Sequence, residues 1–336
     1  MPNRLDITRR AALAATAALI ARPARAEATQ LRIARQFGIG YAQMALLEGR
    51  KLIEAHAAAA GLGTIEVAWS TFRSSDVMND ALLSGSLDVA SLGVPGLGTV
   101  WSRTNGARYE IKGLCGFNLA PITLVTREPA VRTLADFRPG MKIALPAVKV
   151  SNQAIYLQMA AAKQWGQADY ARLDPLTVSM SHPDAVAALL SGGEITSYFG
   201  APPFTQRALK SPGVHEITNS SEILGTPASF NILGTPTRFY EANPRLIRAL
   251  LAALEEATRS IRTDPAAAAA TYARMTNDKT PLPELTDLMA KAMTYTLDLQ
   301  GSLPIVQFMA DTGVLKIRPK AWSDYMHSSA AAYAGS

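Results

Sequence analysis

The sequence predicts an α/β protein of two similar lobes. Three observations carry that prediction. Short β-branched runs alternate with Ala- and Leu-rich helical stretches from residue 30 onward, the pattern of a parallel sheet. One strand–helix–strand passage occurs twice. The chain, at 336 residues, is longer than one hydrophobic core ordinarily serves. With 48% hydrophobic and 18% charged residues the composition is that of a folded globular protein, not a disordered or fibrous one.

In chain order, Leu31 to Arg35 reads as a strand, Phe37 to Tyr41 as a Gly-containing turn, and Ala45 to Ala60 as a helix ended by Gly61. A second strand runs from Thr64 to Trp69, with Ile65, Val67 and Trp69 on one face. The passage Ala81-Leu82-Leu83-Ser84-Gly85-Ser86-Leu87-Asp88-Val89-Ala90-Ser91-Leu92-Gly93 then recurs in kind as Ala188-Leu189-Leu190-Ser191-Gly192-Gly193-Glu194-Ile195-Thr196-Ser197-Tyr198-Phe199-Gly200. Each copy follows a strand (Thr64 to Ser70; Leu176 to Ser181) and a Ser- and Asp-containing helix start (Ser74-Ser75-Asp76; Ser181-His182-Pro183-Asp184). Ala-Leu-Leu-Ser-Gly alone is a common helix ending; the matched flanks make it a repeated lobe, and two lobes imply a cleft.

Further strands are expected at Glu110 to Phe117, Ile122 to Thr126, Lys142 to Leu145, Gly213 to Thr218 and Ser229 to Leu233. Beyond Phe239 the chain reads as helical, with Asn243-Pro244 starting a helix whose apolar face is Ile247, Leu250, Leu251, Leu254 and Ile261, and Asp264-Pro265 starting another. This tail has too few strands for a third α/β domain and is expected on the first lobe. The division is then 27–120 plus 233–336 for lobe I and 121–232 for lobe II, crossed near 119–124 and 229–235.

Residues 1–26 read as an export signal: Arg4, Arg9 and Arg10, an apolar run from Ala11 to Ala21, and cleavage after Ala24-Arg25-Ala26. Thr8-Arg9-Arg10 with Leu13 resembles a twin-arginine motif, and Sec export stays open. The run is about half of the ~20 residues that cross a bilayer, and no Cys lies near the cleavage site for a lipid anchor. The mature protein is therefore expected free in the periplasm. Removing this segment deletes five Arg and one Asp, so the formal charge falls from +6 to +2. No Lys/Arg run with interleaved aromatics remains, which argues against nucleic-acid binding. Cys115 is the sole cysteine and reads as a small buried hydrophobe, so no internal disulfide is possible.

His56, His182, His215 and His327 share no metal-ligand spacing. The chain contains no Gly-x-Ser-x-Gly elbow and no phosphate loop, and Gly38-x-Gly40 lacks the third glycine of a dinucleotide fingerprint. No cofactor and no metal are expected. What remains is a set of strand-end loops opening into helices: Phe37 to Tyr41, Ser70 to Asp76, Gly93 to Pro95, Val148 to Asn152 and Ser181 to Asp184. Ligands of open α/β sheets sit outside such strand ends, where helix N–H groups and dipoles favour an anion. Ser151, Asn152, Ser181 and His182 add polar groups, Lys149 a cation, and Phe37 and Phe199 apolar walls.

Asp80 to Ala90, Gly93-Val94-Pro95, Thr133-Leu134-Ala135-Asp136-Phe137 and Ile143-Ala144-Leu145-Pro146 resemble the periplasmic substrate-binding proteins of nitrate/sulfonate/taurine ABC importers, within the thiamine-precursor-like superfamily. The resemblance spans nearly all of residues 30 to 325. It implies a type II periplasmic-binding fold, a small organic anion (sulfonate, carboxylate or related) captured by hinge closure, and a monomer that delivers it to an inner-membrane permease with a cytoplasmic ATPase. It also implies a ligand held by the loops after Phe37, Ser70, Gly93, Val148, Ser181 and Gly200. The candidate contacts are Phe37, Gly38, Ser70, Thr71, Gly93, Val94, Thr123, Lys149, Val150, Ser151, Asn152, Ser181, His182, Phe199 and Ala201. One related branch makes pyrimidines with a Cys-rich segment that this chain lacks. An exported enzyme on the same lobes and a ligand-presenting sensory module are the alternatives.

Overall fold

Two separate sheets organise the computed structural model, which describes residues 26–336; the expected export segment, Ala26 aside, lies outside the described residues. The first sheet takes β1 (Gln30–Arg35), β2 (Glu66–Thr71), β3 (Val89–Gly93), β4 (Ile111–Leu119), β10 (Ser229–Pro236) and β11 (Thr294–Tyr295), in the order β11-β4-β10-β3-β1-β2. The second takes β5 (Thr123–Thr126), β6 (Ile143–Leu145), β7 (Thr177–Ser179), β8 (Ser197–Gly200) and β9 (His215–Asn219), in the order β7-β6-β8-β5-β9.

The repeated passage is the reason the two sheets look alike. In the first, β2-β1-β3 are parallel and β10 joins β3 antiparallel; in the second, β7-β6-β8 are parallel and β5 joins β8 antiparallel. The paired helices are α3 (Ser75–Ser84), closed by Gly85 in the left-handed conformation (φ 77°), and α6 (His182–Leu190). Glycine fits the first of these ends because a side chain there would crowd the backbone. Each antiparallel neighbour is a strand that has just arrived from the other half of the chain. Strand β10 pairs from Ser229 onward in the first sheet, so residues 229–232 sit there and not with the second lobe to which the sequence reading allotted them.

The first helical stretch is broken where the sequence shows one run: α1 (Ala42–Arg50) stops at Lys51, left-handed at φ 51°, and α2 (Leu52–Ala59) follows. Gly49 just before the break lets α1 lie against Thr271 and Met275, a closeness any side chain would disturb. The C-terminal half carries α9 (Thr237–Ala242), α10 (Pro244–Thr263), α11 (Pro265–Thr276), α12 (Leu282–Lys291) and α13 (Ser302–Asp311). Helices α10 and α11 pack on α1 and α2, and α13 packs on α4 (Val94–Thr104). The tail is not all helical: β11 pairs with β4. Helix α10 begins at Pro244 as expected, but Asn243 does not cap it. Its Oδ1 accepts from Ala28 N–H at 2.7 Å, and the Glu27 carboxylate accepts from the Arg245 and Leu246 amides instead.

Buried side chains form one large core that runs from the first sheet and its helices through the crossing strands to α5 (Asn152–Trp165). A smaller core fills the opposite face of the second sheet, between Val125, Ala144 and Tyr198 and helices α6 and α7 (Phe204–Leu209). Cys115 lies inside the large core at 1% exposure, and burial pushes its thiol pKa up, so it is an inert hydrophobe. No helix among the described residues is long and apolar enough to cross a membrane.

Candidate functional site

Two neighbouring hollows, which share Gln36 and Tyr41 in their walls, lie where the sheets' strand ends face each other. The inner one is a recess of about 20 Å³, lined by Gln36, Tyr41, Ser74 and Ser75 from the first sheet's side, Pro146, Ser151, Asn152, Gln153 and His182 from the second's, and Phe230 from β10. That volume seats one water-sized group. The outer one is a cavity of about 450 Å³ that shares Gln36 and Tyr41 with the recess. Its walls are Arg35, Phe37, Gly38 and Thr71, then Pro183, Phe204 and Arg207, then Tyr272 and Met275 to Lys279 of the tail.

Helix starts put the polar groups there. Ser151 caps α5: its Oγ accepts from Ala154 N–H at 3.2 Å and donates to Ala147 C=O at 2.7 Å. Ser181 caps α6 in the same way, accepting from Asp184 N–H, and it bonds the Asp184 carboxylate at 2.5 Å. Ser75, at the first turn of α3, accepts from Gln36 Nε2 at 3.2 Å and from the Gly93 amide at 2.9 Å. The starts of α3, α5 and α6 thus converge on the recess from both sheets, and their partial positive ends sum.

His182 is 4% exposed, and its Nδ1 lies 2.5 Å from the Tyr198 hydroxyl. That contact holds the imidazole in place through Nδ1. Burial pushes the His182 pKa down to about 4, so the ring is neutral at neutral pH. Its flat face stacks on Phe204, centroids 5.5 Å apart at 16°. Asn152 donates Nδ2 to Phe230 C=O at 3.0 Å, and its buried Oδ1 has no partner among the described residues. Tyr41 donates to Asn231 Oδ1 at 3.0 Å, and burial raises its pKa.

The cavity's charges are nearly matched. Arg35 Nη1 is 2.5 Å from Glu48 Oε2 and stacks over Trp69; Arg207 Nη2 is 2.7 Å from Asp278 Oδ1. Lys279 bonds only Asn277 Oδ1, at 2.5 Å, and no carboxylate pairs with it among the described residues. One positive charge is left over, and it favours an anion.

Of the residues singled out from sequence, Phe37, Gly38 and Thr71 line the cavity and Ser151, Asn152 and His182 line the recess. Gly93 lies just behind the recess, where the Asn152 side chain abuts it and brings the loops at residues 93 and 152 into contact. Ser181 serves α6 as its cap and does not line either hollow. The structure places the others elsewhere. Val94, Phe199 and Ala201 are core residues, because both faces of each sheet are covered there. Thr123 is a buried strand residue paired with Gly200 and Asn219. Ser70 is exposed beyond the rim. Lys149 sits in a left-handed turn (φ 65°) facing solvent, and Val150 is half-buried beside it. Tyr41, Ser74 and Ser75 lay in the expected loops without being named as contacts, and sequence reasoning missed Gln36, Phe204, Arg207, Tyr272 and Met275 to Lys279 altogether. Ser74 and Ser75 carried a visible signal, a helix start matching Ser181-His182, whereas the tail residues carried none.

Fold and site together define a two-lobed architecture of the periplasmic-binding-protein fold. The chain belongs to the NMT1-like family, whose family model matches residues 24–276. Among solved structures it is similar to the alkanesulfonate-binding protein SsuA from Xanthomonas axonopodis pv. citri bound to MOPS, with TM-score 0.69, 19% identity, and 87% of this chain and 96% of that chain covered. It is also similar to the aliphatic sulphonate binding protein SsuA from Escherichia coli (TM-score 0.64, 18% identity, 90% and 93% covered). The nitrate-binding protein NrtA from Synechocystis PCC 6803 matches with TM-score 0.65, 14% identity, and 86% and 81% covered. These likenesses bear out the expected fold. A search of curated proteins finds no match.

Proposed function

We propose that this protein is the extracytoplasmic solute-binding component of an ABC importer, taking a small organic anion between its lobes and presenting the closed form to a permease driven by a cytoplasmic ATPase. The observation that carries this reading is the pair of neighbouring hollows walled from both sheets, with three helix starts at the inner one and, at the outer one, an exposed lysine that no carboxylate pairs with among the described residues. Export with cleavage after Ala26, a periplasmic address and a monomeric state belong to the same reading, as does a division into residues 27–120 with the chain from β10 onward, and 121–228. Closure needs contacts that differ between open and closed forms, and walls supplied by both lobes provide them.

Native mass spectrometry of the purified protein for a co-purified solute, followed by a thermal-shift screen of small organic anions, tests the reading, because a ligand bound only by the folded state raises its apparent stability. One anion bound per chain and released unchanged is the expected result. Chemical turnover of that solute, or no stabilisation by any anion, would overturn it.

A further inference from the structure

We infer that the solute is a monoanionic acid carrying an aromatic ring or a comparably broad apolar body, seated in the outer cavity against Phe37 and Phe204; this rests on the solute-binding reading above. The first support is size. A cavity of about 450 Å³ holds many waters, against the single one that the 20 Å³ recess seats. An inorganic oxyanion or a two-carbon acid replaces only a few of them, whereas volumes of this order enclose organic ligands with a body.

The second support is the wall. Phe37, on the first lobe, leaves 40% of its surface exposed at the cavity. An exposed phenyl group facing a concave site is apolar surface awaiting cover. From the second lobe comes Phe204, whose ring is held by its stack on His182 and whose near neighbour across the gap is Gly38; an added Cβ there would stand 3.4 Å from the ring. Tyr272 and the flexible thioether of Met275 complete an apolar side that adapts to a ring face or edge.

The third support is charge. Arg35 and Arg207 are each matched by a carboxylate, and Lys279, exposed at the rim, has none among the described residues, so the cavity favours a single negative charge. The recess beside it accepts one oxygen-sized group, lined by the His182 ring and by the starts of three helices. A monoanion with a flat or bulky apolar body satisfies all three features together, and a multiply charged or purely polar solute satisfies none beyond the first.

The test is isothermal titration calorimetry on the mature chain with anions paired by head group: benzenesulfonate against methanesulfonate, benzoate against acetate, and nitrate alone. The aromatic member of at least one pair is expected to bind about tenfold tighter or more, a difference of about 1.4 kcal/mol. Phe37→Ala, at a half-exposed position that folding tolerates, is expected to erase most of that ratio, and Lys279→Gln to weaken both members while keeping it. Equal or tighter binding of methanesulfonate, acetate or nitrate overturns the inference and leaves the solute-binding reading intact, as does an unchanged ratio in Phe37→Ala. A solute recovered by native mass spectrometry that lacks an apolar body does the same. Absence of any anion binding by the folded protein, with no recovered solute, overturns both.

Discussion

Replacing Gly93 by alanine tests how closely the lobes must meet. Gly93 precedes α4 with φ −64° and ψ 155°, a conformation open to any residue, so the added methyl brings no backbone strain. It would, however, stand 2.5 Å from Asn152 Nδ2 and 3.0 Å from its Cγ, where ordinary contact is about 3.5–4.0 Å. Asn152 has little room to move. It is 6% exposed, and its amide is tied to Phe230 C=O at 3.0 Å. Relief therefore requires breaking that bond or holding the lobes about 1 Å further apart. Overpacking of this kind costs roughly 1–3 kcal/mol, and it falls on the form in which the lobes touch. The expected result is an affinity loss of roughly 5- to 150-fold for the solute recovered with the protein, measured by calorimetry, with the urea midpoint of the free protein unchanged. In an Asn152→Ala background the same Gly93→Ala change is expected to cost nothing, a double-mutant cycle that isolates the contact. Wild-type affinity in Gly93→Ala, or an equal loss in both backgrounds, would refute the reasoning.

Three further expectations follow from other parts of the structure. His182, held at about 4 by burial against an ordinary 6.5, is neutral in the folded protein while the unfolded chain binds a proton. Its contribution is complete above pH 6.5 and is lost as pH falls towards 4, in total on the order of 3 kcal/mol, with His327, also near 4, adding a like amount. Urea unfolding across this window should show His182→Gln losing less stability than wild type on acidification; an identical slope would contradict it. Arg207 to Asp278 and Lys210 to Glu284, at 2.7 and 2.6 Å, clasp α7 to the tail across the cavity mouth. Asp278→Asn leaves Arg207 unmatched and adds a positive charge to the cavity, so it should tighten binding of a monoanion about fivefold, roughly 1 kcal/mol, and make it more sensitive to salt, read by calorimetry at low and high ionic strength; unchanged affinity and salt dependence would contradict the charge count. The Glu27 carboxylate caps α10 across the chain, so Glu27→Ala should lower the unfolding free energy by roughly 1 kcal/mol without altering affinity, a loss visible as a shifted urea midpoint.

The architecture was legible in the sequence because lobes built on one plan repeat their punctuation: a serine at a helix start, a helix ending in glycine, a strand running into Gly-Pro. Ser151 and Ser181 show this best, since each caps the helix that its neighbours announced. Strand order was not legible, because β1 lies between β2 and β3 only in space, and β10 enters the first sheet after a long excursion through the second. At the site, local chemistry revealed the loops but not which side of them faces the gap. Phe199 and Tyr198 are adjacent, alternate across a sheet covered on both faces, and differ in fate: Tyr198 supports His182, whereas Phe199 joins the core. The tail residues Tyr272 to Lys279 reach the cavity through packing of α11 on α1, a tertiary event to which periodicity is blind.

Hydrogen–deuterium exchange of the mature protein with and without its recovered solute addresses capture between the lobes most directly. Slowed exchange is expected together in segments 36–41 and 74–76 of the first lobe and 151–154 and 182–184 of the second, because a guest in the neighbouring hollows covers both sides at once. Protection confined to one of these lobes, or centred on residues 289–300 around the separate hollow of the tail, would contradict it.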